Sequence, residues 1–291
     1  MAGVQSPGKQ PLRKPMLFEW KQTLDAMFYP SYLLRGRRPW TVGYYTAKRR
    51  RIEAAIDAGL LGPGVRLPQG YGIRLDERVI EYPWVYARLP RDPGRMLDAG
   101  ATLNYGFLIK RPPVSAAKLS ICTLAPEKQC HWRRGISYVF EDLRSCAFRS
   151  EIFDTIVSIS TIEHIGLDNT ALYTTDQTKR ECDATGFRAA VREFRRVIRP
   201  GGVCFITVPY GKACMRGWFQ VFDAAMIRTV LDDFRPAQQE VDYFGYSPDG
   251  WQRADAVDLA EATFFDIHQE KHFSHDYAAA ARGLVCMRLV A

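Results

Sequence analysis

A short apolar segment that breaks into a turn of small residues most constrains how this chain folds. Met96 and Leu97 lead into Asp98, and the next three residues, Ala99-Gly100-Ala101, carry almost no side-chain bulk. This pattern predicts a short buried strand and a tight turn at which a ligand can approach the backbone closely. In an open α/β sheet, ligands bind outside the carboxyl ends of the strands, where such a turn lies. A strand and a turn that bind nothing remain an alternative, because only Gly100 fills a glycine position of the dinucleotide fingerprint G-x-G-x-x-G.

Strand-like and helix-like segments alternate after this turn. The apolar runs typical of further buried strands are 118–124, 136–140, 153–160 and 203–208. Residues 185–198 carry apolar side chains at helical spacing, and Pro200-Gly201-Gly202 ends that pattern. Another helix is predicted to begin at Pro126-Glu127. The alternation predicts an α/β protein with a doubly wound, mostly parallel sheet.

The pattern changes after Pro209. Asp223 is the predicted N-cap of a helix that runs through Phe234, and strands are predicted over 239–244 and 283–290. These two strands bring the predicted sheet to seven. The aromatic and polar stretch between them is long enough to predict a lid insertion over about residues 244–282. The main domain is therefore predicted to span residues 91–291.

Residues 1–90 are predicted to form a basic, helical and irregular N-terminal extension that is partly disordered. A leader rich in Pro, Gly, Lys and Gln covers 1–15, and a cap helix is predicted over Tyr44–Ala58. Residues 1–55 carry 11 Lys/Arg and 3 Asp/Glu, whereas the rest of the chain carries 29 of each, so the net charge of +8 belongs to this segment. Such a segment can contact nucleic acid, an anionic membrane face or a phosphorylated substrate, or it can be a solvated basic surface.

Composition excludes several classes of protein. No apolar run approaches the ~18 residues that a membrane span needs, and the first residues lack the apolar core of a signal peptide. The seven cysteines include no C-x-x-C pair, which argues against a disulfide framework and a structural zinc site. We therefore expect a cytoplasmic protein that binds no metal.

Four segments resemble the motifs of class I S-adenosylmethionine-dependent methyltransferases, and they occur in the family's order between residues 93 and 210. They are Met96–Gly100, Asp142-Leu143 with Phe148 six residues beyond the Asp, Phe153–Ile165, and Glu193–Gly202. The resemblance implies a Rossmann-like methyltransferase fold whose last strand is antiparallel, with S-adenosyl-L-methionine as the cofactor.

A second resemblance concerns the acceptor. Leu97–Asn104, Thr123–Glu127 and Asp76–Trp84 are similar to segments of methyltransferases that modify sugars and cell-surface polysaccharides. This resemblance implies a small-molecule or glycan acceptor and a role in polysaccharide biosynthesis.

The family resemblance also implies a set of cofactor-binding residues. Backbone N–H groups around Gly100 would approach the methionine tail, and Asp98 would accept a hydrogen bond from its amino group. Asp142 matches the residue that receives the adenine amino group, with the Leu143 N–H at the neighbouring ring nitrogen. A loop carboxylate at position 142 that bonds its own backbone is the alternative. Thr123 occupies the position at which the family usually has an acidic residue that binds the ribose hydroxyls. Its uncharged hydroxyl would bind the ribose more weakly than a carboxylate, by roughly 1 kcal/mol. The predicted cofactor set is Asp98, Gly100, Ala101, Asn104, Thr123, Asp142, Leu143 and Ser160.

His164 is the candidate catalytic residue. It follows the fourth predicted strand, on the edge where cofactor and acceptor would meet, and a free imidazole titrates near neutrality. An alcohol acceptor must lose its proton, so a base within hydrogen-bond reach assists the transfer. Its alternative role is that of a residue that only packs or caps at a helix start, and Glu163 beside it is expected to bond backbone amides there.

Histidines and aromatic residues also occur near the predicted lid. His268, His272 and His275 have helical spacing, but we expect them on a lid surface rather than in a metal site. Trp218 and Trp251 are compatible with aromatic platforms for a sugar ring, or with packing of the lid.

The sequence therefore predicts a methyltransferase that O-methylates a sugar, a polysaccharide or another small hydroxyl acceptor by in-line displacement. A nucleic-acid methyltransferase that follows phosphates with its basic N-terminal segment is an alternative. It is disfavoured because Ser160-Thr161-Ile162-Glu163 stands where many base-directed enzymes have Asn/Asp-Pro-Pro-aromatic. A non-catalytic scaffold is a further alternative, motivated by Thr123 and the single glycine of the turn, and a dehydrogenase comes last.

Overall fold

A mixed sheet of eight strands forms the centre of the computed structural model, which describes residues 24–174 and 176–291. Its strands are β1 (Arg95–Ala99), β2 (Lys118–Thr123), β3 (Ser137–Phe140), β4 (Phe153–Ile159), β5 (Ile198–Pro209), β8 (Gln238–Ser247), β9 (Gly250–Ala254) and β10 (Gly283–Val290). A separate hairpin consists of β6 (Cys214–Met215) and β7 (Gln220–Val221). The spatial order in the main sheet is β3-β2-β1-β4-β5-β10-β8-β9. The leader predicted over residues 1–15 lies outside the described residues.

Helices cover the sheet and its edges. They are α1 (Tyr29–Leu34), α2 (Tyr44–Asp57), α3 (Arg78–Tyr86), α4 (Gly106–Ile109), α5 (Thr170–Tyr173), α6 (Phe187–Val197) and α7 (Ala224–Phe234). Helix α6 buries Phe187, Val191 and Phe194 and packs against α7, as its apolar spacing predicts. Helix α7 begins as predicted, because the Asp223 carboxylate accepts from the Met226 amide at 2.9 Å. None of the described helices combines the length and the apolar character needed to cross a bilayer.

The topology confirms the predicted fold class. Strands β1 to β5 pair in parallel, so their carboxyl ends lie on one edge of the sheet. Strand β10 is antiparallel to both β5 and β8, as expected of the last strand. Strand β1 is buried from Met96 to Ala99, because neighbouring strands and covering layers exclude water from both of its faces.

The sheet has one strand more than the predicted seven. Strand β9 pairs antiparallel with β8 at the sheet edge, within the segment predicted as a lid. Trp251 on β9 is fully buried, and its indole N–H donates to the Leu75 carbonyl at 2.9 Å. The N-terminal segment therefore helps to hold this strand in place, and a contact so distant in sequence leaves no local pattern.

Two local predictions were wrong. The helix predicted to begin at Pro126 is absent from the described residues, which form a loop there and a short 3-10 turn over Trp132–Arg134. Asn104 holds that loop by donating to the Gln129 carbonyl at 2.9 Å. Strand β5 begins at Ile198 rather than at 203, because the chain passes from α6 directly into the sheet and Gly201 has a φ of 75°.

Helix α2 confirms the helix predicted over Tyr44–Ala58, whereas α3 was not predicted. Pro83 lies inside α3 and cannot donate the hydrogen bond that the Val79 carbonyl would accept. The Tyr71 hydroxyl donates to that carbonyl instead, at 2.6 Å. Since the freed acceptor has a partner, the helix tolerates its proline.

Candidate functional site

The turn after β1 is held by the strand's own carboxylate. Asp98 is fully buried, and its two oxygens accept hydrogen bonds from the amides of Thr102 and Leu103, at 3.1 and 2.9 Å. Burial raises the pKa of Asp98 to about 7, although these hydrogen bonds oppose the shift. Asp98 therefore shapes the predicted cofactor loop from beneath and exposes no oxygen to a ligand.

The turn approaches the loop after β4 closely at Gly100. Gly100 has a φ of 113°, and a Cβ built there would lie 2.2 Å from Thr161 Oγ1. Its amide donates to the Cys122 carbonyl at 2.8 Å, which ties the turn to β2. Ala101 follows with a φ of 60°, a left-handed conformation that exposes the peptide N–H groups of a turn. Within the described part of the chain, no acceptor bonds the Ala101 amide.

The Asn104 side chain holds neighbouring loops together and does not face solvent. It is buried and accepts from the Tyr138 hydroxyl at 2.9 Å, while its amide group donates to the loop after β2. It therefore joins the turn after β1 to β3.

The ends of β2 and β3 present apolar side chains to solvent. Leu124, which directly follows β2, and Phe140, the last residue of β3, are both exposed. Thr123 is buried, and the Tyr173 side chain on α5 interacts with it. A planar, weakly polar group would find apolar surface beside a hydroxyl at this position.

Asp142 lies in the turn after β3 and is paired with Arg144. The two side chains approach to 2.6 Å, and the Arg144 amide also donates to Asp142 Oδ1 at 2.8 Å. Burial alone would raise the pKa of Asp142, but the hydrogen bonds from Arg144 lower it below its usual value. About a third of the Asp142 side chain is exposed, so the carboxylate faces solvent while it shapes its own turn. Leu143 is buried, and no acceptor among the described residues bonds its amide.

Ser160 belongs to a buried network that sequence reasoning missed. Its hydroxyl donates to Glu81 Oε1 at 2.7 Å, and the Thr207 hydroxyl donates to the same oxygen at 2.6 Å. Arg78 completes the network by pairing with Glu81 Oε2 at 2.6 Å. The only local signal was a charged residue, Glu81, within the apolar run of α3.

His164 is oriented by a backbone carbonyl from the β6–β7 hairpin. Its Nδ1 lies 2.9 Å from the Trp218 carbonyl oxygen, and its ring packs on the Trp218 indole with centroids 4.9 Å apart. Because a carbonyl only accepts, Nδ1 must carry the hydrogen, which leaves a lone pair on Nε2. Burial lowers the pKa of His164 to about 4, although the bond to the carbonyl opposes that shift. The imidazole is therefore neutral at physiological pH.

Glu163 is the closest carboxyl group to that imidazole. It is almost fully buried, and its Oε1 lies 3.9 Å from His164 Nε2. Burial raises the pKa of Glu163 to about 8, so the carboxyl is predominantly neutral at pH 7. Its Oε2 has no hydrogen-bond partner among the described residues. A neutral acid and a neutral base therefore lie side by side after β4.

Aromatic side chains surround His164 on the hairpin side. Trp218 contacts Phe219 and His268, and Phe219 packs on Phe264 with centroids 4.5 Å apart. His268 thus joins the aromatic cluster. No group of His, Cys, Asp or Glu side chains in the described ranges is arranged to hold a metal ion.

The residues at this edge fit S-adenosylmethionine. A side chain at position 100 would clash with Thr161, and the amides of Ala101 and Leu143 have no hydrogen-bond acceptor among the described residues. Asp142, next to Leu143, is partly exposed. The exposed Leu124 and Phe140 offer apolar surface to an adenine ring. Of the predicted set, Asp98, Asn104 and Ser160 instead hold the loops in place.

Comparison with known proteins gives a family match over part of the chain. Residues 114–206 match the family model described as a methyltransferase domain, roughly a third of the chain. The matched segment runs from before β2 into β5, so it includes Thr123, Asp142 and His164 but not Gly100. No match was found among curated proteins.

Solved structures similar to this chain include several methyltransferases. An S-adenosylmethionine-dependent methyltransferase from Methanosarcina mazei is 14% identical with a TM-score of 0.42, over 72% of this chain and 97% of that one. The 1,6-didemethyltoxoflavin-N1-methyltransferase from Burkholderia thailandensis is 13% identical with a TM-score of 0.42, over 98% and 93%. The N-methyltransferase NodS from Bradyrhizobium japonicum is 17% identical with a TM-score of 0.36, over 68% and 78%. The structures of the last two contain S-adenosylhomocysteine.

Proposed function

We propose that the chain is a class I S-adenosylmethionine-dependent methyltransferase that O-methylates a hydroxyl group of a sugar, a polysaccharide or another small acceptor, with His164 as the general base. The observation that carries this proposal is the fixed tautomer of His164. The Trp218 carbonyl holds the hydrogen on Nδ1 and leaves Nε2 free to receive a proton.

The low pKa of His164 suits this reaction. When bound, S-adenosylmethionine supplies a methyl group on a sulfonium, which is a good leaving group. A hydroxyl becomes strongly acidic only as its oxygen bonds to carbon, so a weak base is sufficient to take the proton late in the displacement. With a pKa of about 4, His164 is unprotonated and ready to act across the neutral range.

Residues around His164 would position the acceptor. The Trp218 ring, packed against the buried Phe219, offers a platform for the apolar face of a sugar ring. The chain's resemblance to sugar-modifying enzymes agrees with this acceptor class.

We assign the cofactor to the carboxyl edge of β1 to β4. In this proposal Gly100, Ala101 and Leu143 act through their backbone, and Thr123 and Asp142 through their side chains. Asp98, Asn104 and Ser160 position the loops that carry these groups.

The proposed domain organisation follows the sequence. Residues 91–291 form the catalytic domain, with an insertion over about residues 244–282, and residues 1–90 form an N-terminal extension. We propose that the reaction takes place in the cytoplasm.

Calorimetry and a turnover assay test the proposal together. We expect the protein to bind S-adenosylmethionine and to transfer a radiolabelled methyl group from it to a member of a panel of mono- and oligosaccharides. A His164→Ala variant should retain cofactor binding while kcat falls by about 10²–10⁴-fold, as is typical of losing a general base.

His272→Ala is the matched control, because His272 is an exposed histidine outside the site. Its kcat should equal that of the unmodified protein. Full turnover by His164→Ala would remove the residue from the mechanism, and a protein that binds no cofactor would refute the proposed function as a whole.

A further inference from the structure

Two adjoining depressions at the amino-terminal edge of the sheet are lined mainly by arginine. Each has a volume of about 440 Å³. Together they contain seven arginines, which we call the arginine band: Arg95, Arg149, Arg192, Arg195, Arg196, Arg199 and Arg235. The depressions lie side by side, since Arg196 in one donates to the Ser150 hydroxyl in the other at 3.1 Å.

Acidic neighbours neutralise only part of this charge. The depressions contain three acidic residues, Glu151, Asp154 and Asp233, against the seven arginines. Asp154 pairs with Arg199 at 2.5 Å, and Asp233 with Arg192 at 2.9 Å. Outside the depressions, Glu193 pairs with Arg196. Within the described ranges, the other four members of the band form no ion pair: Arg95, Arg149, Arg195 and Arg235. Since residues 56–291 are neutral overall, the band is a local excess of positive charge.

The left-handed backbone conformation of Arg235 indicates that its side chain has a role other than ending the helix. Arg235 ends α7 with a φ of 53°, in the left-handed region where a glycine is favoured at a helix end. An arginine in that conformation costs about 1 kcal/mol. The helix would end at lower cost with glycine, so helix termination does not account for the arginine.

The band is longer than a single phosphate group. It extends from the start of β1 across β4, β5 and β10 to the start of β8. Four inter-strand spacings of about 4.8 Å correspond to roughly 20 Å. A ligand that contacts the whole band therefore carries several negative charges in a row.

We propose that the arginine band binds the phosphate backbone of a nucleic acid. Guanidinium groups match phosphate oxygens with paired hydrogen bonds, and every basic residue that lines the depressions is an arginine. The band lies on the edge of the sheet opposite the candidate site, so the nucleic acid is a docking partner and not the methyl acceptor. The proposal does not depend on the proposed function.

An anionic membrane fits this surface less well. Ile152 is the one apolar residue that lines the depressions, whereas surfaces that bind membranes insert apolar side chains. The exposed apolar residues Leu124 and Phe140 lie at the opposite edge of the sheet.

Fluorescence anisotropy with labelled, mixed-sequence duplex DNA and single-stranded RNA tests the proposal. The full-length protein should bind at least one of these probes, with an affinity that falls steeply as salt rises. A variant with Arg95, Arg149, Arg195 and Arg235 all changed to Gln should bind at least tenfold more weakly at moderate salt. For duplex DNA, the slope of log K against log salt should decrease by about 3 to 4, since each lost phosphate contact contributes about 0.9.

The matched control changes four exposed arginines of the N-terminal segment to Gln: Arg35, Arg49, Arg50 and Arg51. It removes the same charge, and circular dichroism verifies that both variants fold. An equal loss in both variants, or a loss only in the control, overturns the assignment to the band. So does binding of the protein to phosphatidylglycerol vesicles but to neither nucleic acid, or binding to none of the probes.

Discussion

At the residue scale, the candidate site depends on how closely two loops approach each other. The space that a Gly100 Cβ would occupy is filled by the Oγ1, Cγ2 and Cβ atoms of Thr161, at 2.2 to 2.9 Å. Two features therefore require a glycine at position 100: its φ of 113° and the close approach of the Thr161 side chain.

We expect a Gly100→Ala variant to lose both stability and cofactor binding. Backbone strain costs about 1–3 kcal/mol, and the overlap with Thr161 adds to it, so urea unfolding should show a loss of at least 2 kcal/mol. Calorimetry should show cofactor binding weakened by more than tenfold.

Gly59→Ala is the control for backbone strain alone. Gly59 has a φ of 61°, and nothing lies within 4 Å of the position that a Cβ would occupy there. This variant should lose about 1 kcal/mol and bind the cofactor normally. If the two variants were equally stable, close packing between the loops would not be the reason for glycine at position 100.

At the element scale, α3 connects the N-terminal extension to the carboxyl edge of the sheet. Glu81 on α3 accepts from Ser160 after β4 and from Thr207 on β5, and it pairs with Arg78. A buried carboxylate is tolerated only when its oxygens are bonded. One side chain therefore determines where the helix packs and how the loop after β4 is held.

A Glu81→Ala variant should be strongly destabilised. The change leaves Arg78 without its carboxylate and two buried hydroxyls without their acceptor, which costs roughly 3–5 kcal/mol. Equilibrium unfolding in urea measures this loss.

Glu53→Ala provides the comparison, because Glu53 forms a partly exposed ion pair with Arg49 at 3.2 Å. Its loss should remain below about 1 kcal/mol. A comparably small loss for Glu81→Ala would mean that the network contributes little to the packing of α3.

At the scale of the whole molecule, the carboxyl edge concentrates buried acids from separate segments. Burial is the main reason that the pKa is raised to about 7 for Asp98 and Glu77 and to about 8 for Glu163. These groups bind protons more tightly in the folded than in the unfolded chain. Their contribution to stability is therefore largest at a pH below the pKa values that these groups have in the unfolded chain. It is lost as the pH rises through the pKa values that they have in the folded chain.

We expect the free energy of unfolding to depend on Glu163 over this window. Between about pH 4.5 and pH 8, ionisation favours the unfolded chain progressively, by no more than roughly 5 kcal/mol for this group. A Glu163→Gln variant cannot ionise, so its stability relative to the unmodified protein should rise from pH 5 to pH 8. Urea unfolding at the two pH values measures the change.

The matched variant is Glu261→Gln, because the Glu261 side chain is exposed and burial contributes no pH dependence to the effect of this change on stability. If Glu163→Gln behaved in the same way, the Glu163 carboxyl would be ionised in the folded protein at neutral pH.

Sequence patterns predicted most of the secondary structure, because the start, the end and the apolar face of a helix or strand depend on residues close together in the sequence. The apolar run before Gly100 predicted β1, the helical spacing of Phe187, Val191 and Phe194 predicted α6, and Asp223 predicted the start of α7. The order of these elements was enough to predict the parallel sheet, and the resemblance to the methyltransferase family implied its antiparallel last strand.

The sequence alone thus determined the fold class, because the hydrophobic periodicity and the turn residues that define each element lie within a few positions of one another. It also predicted the edge of the sheet at which the candidate site lies. The tertiary structure alone decided the chemistry at that edge. The Trp218 carbonyl, 54 residues away, sets the tautomer of His164, and the partners of Glu81 are 79 and 126 residues away. Strand β9 likewise depends on the contact between Trp251 and Leu75. Burial and orientation arise from such distant contacts, which exist only once the chain has folded.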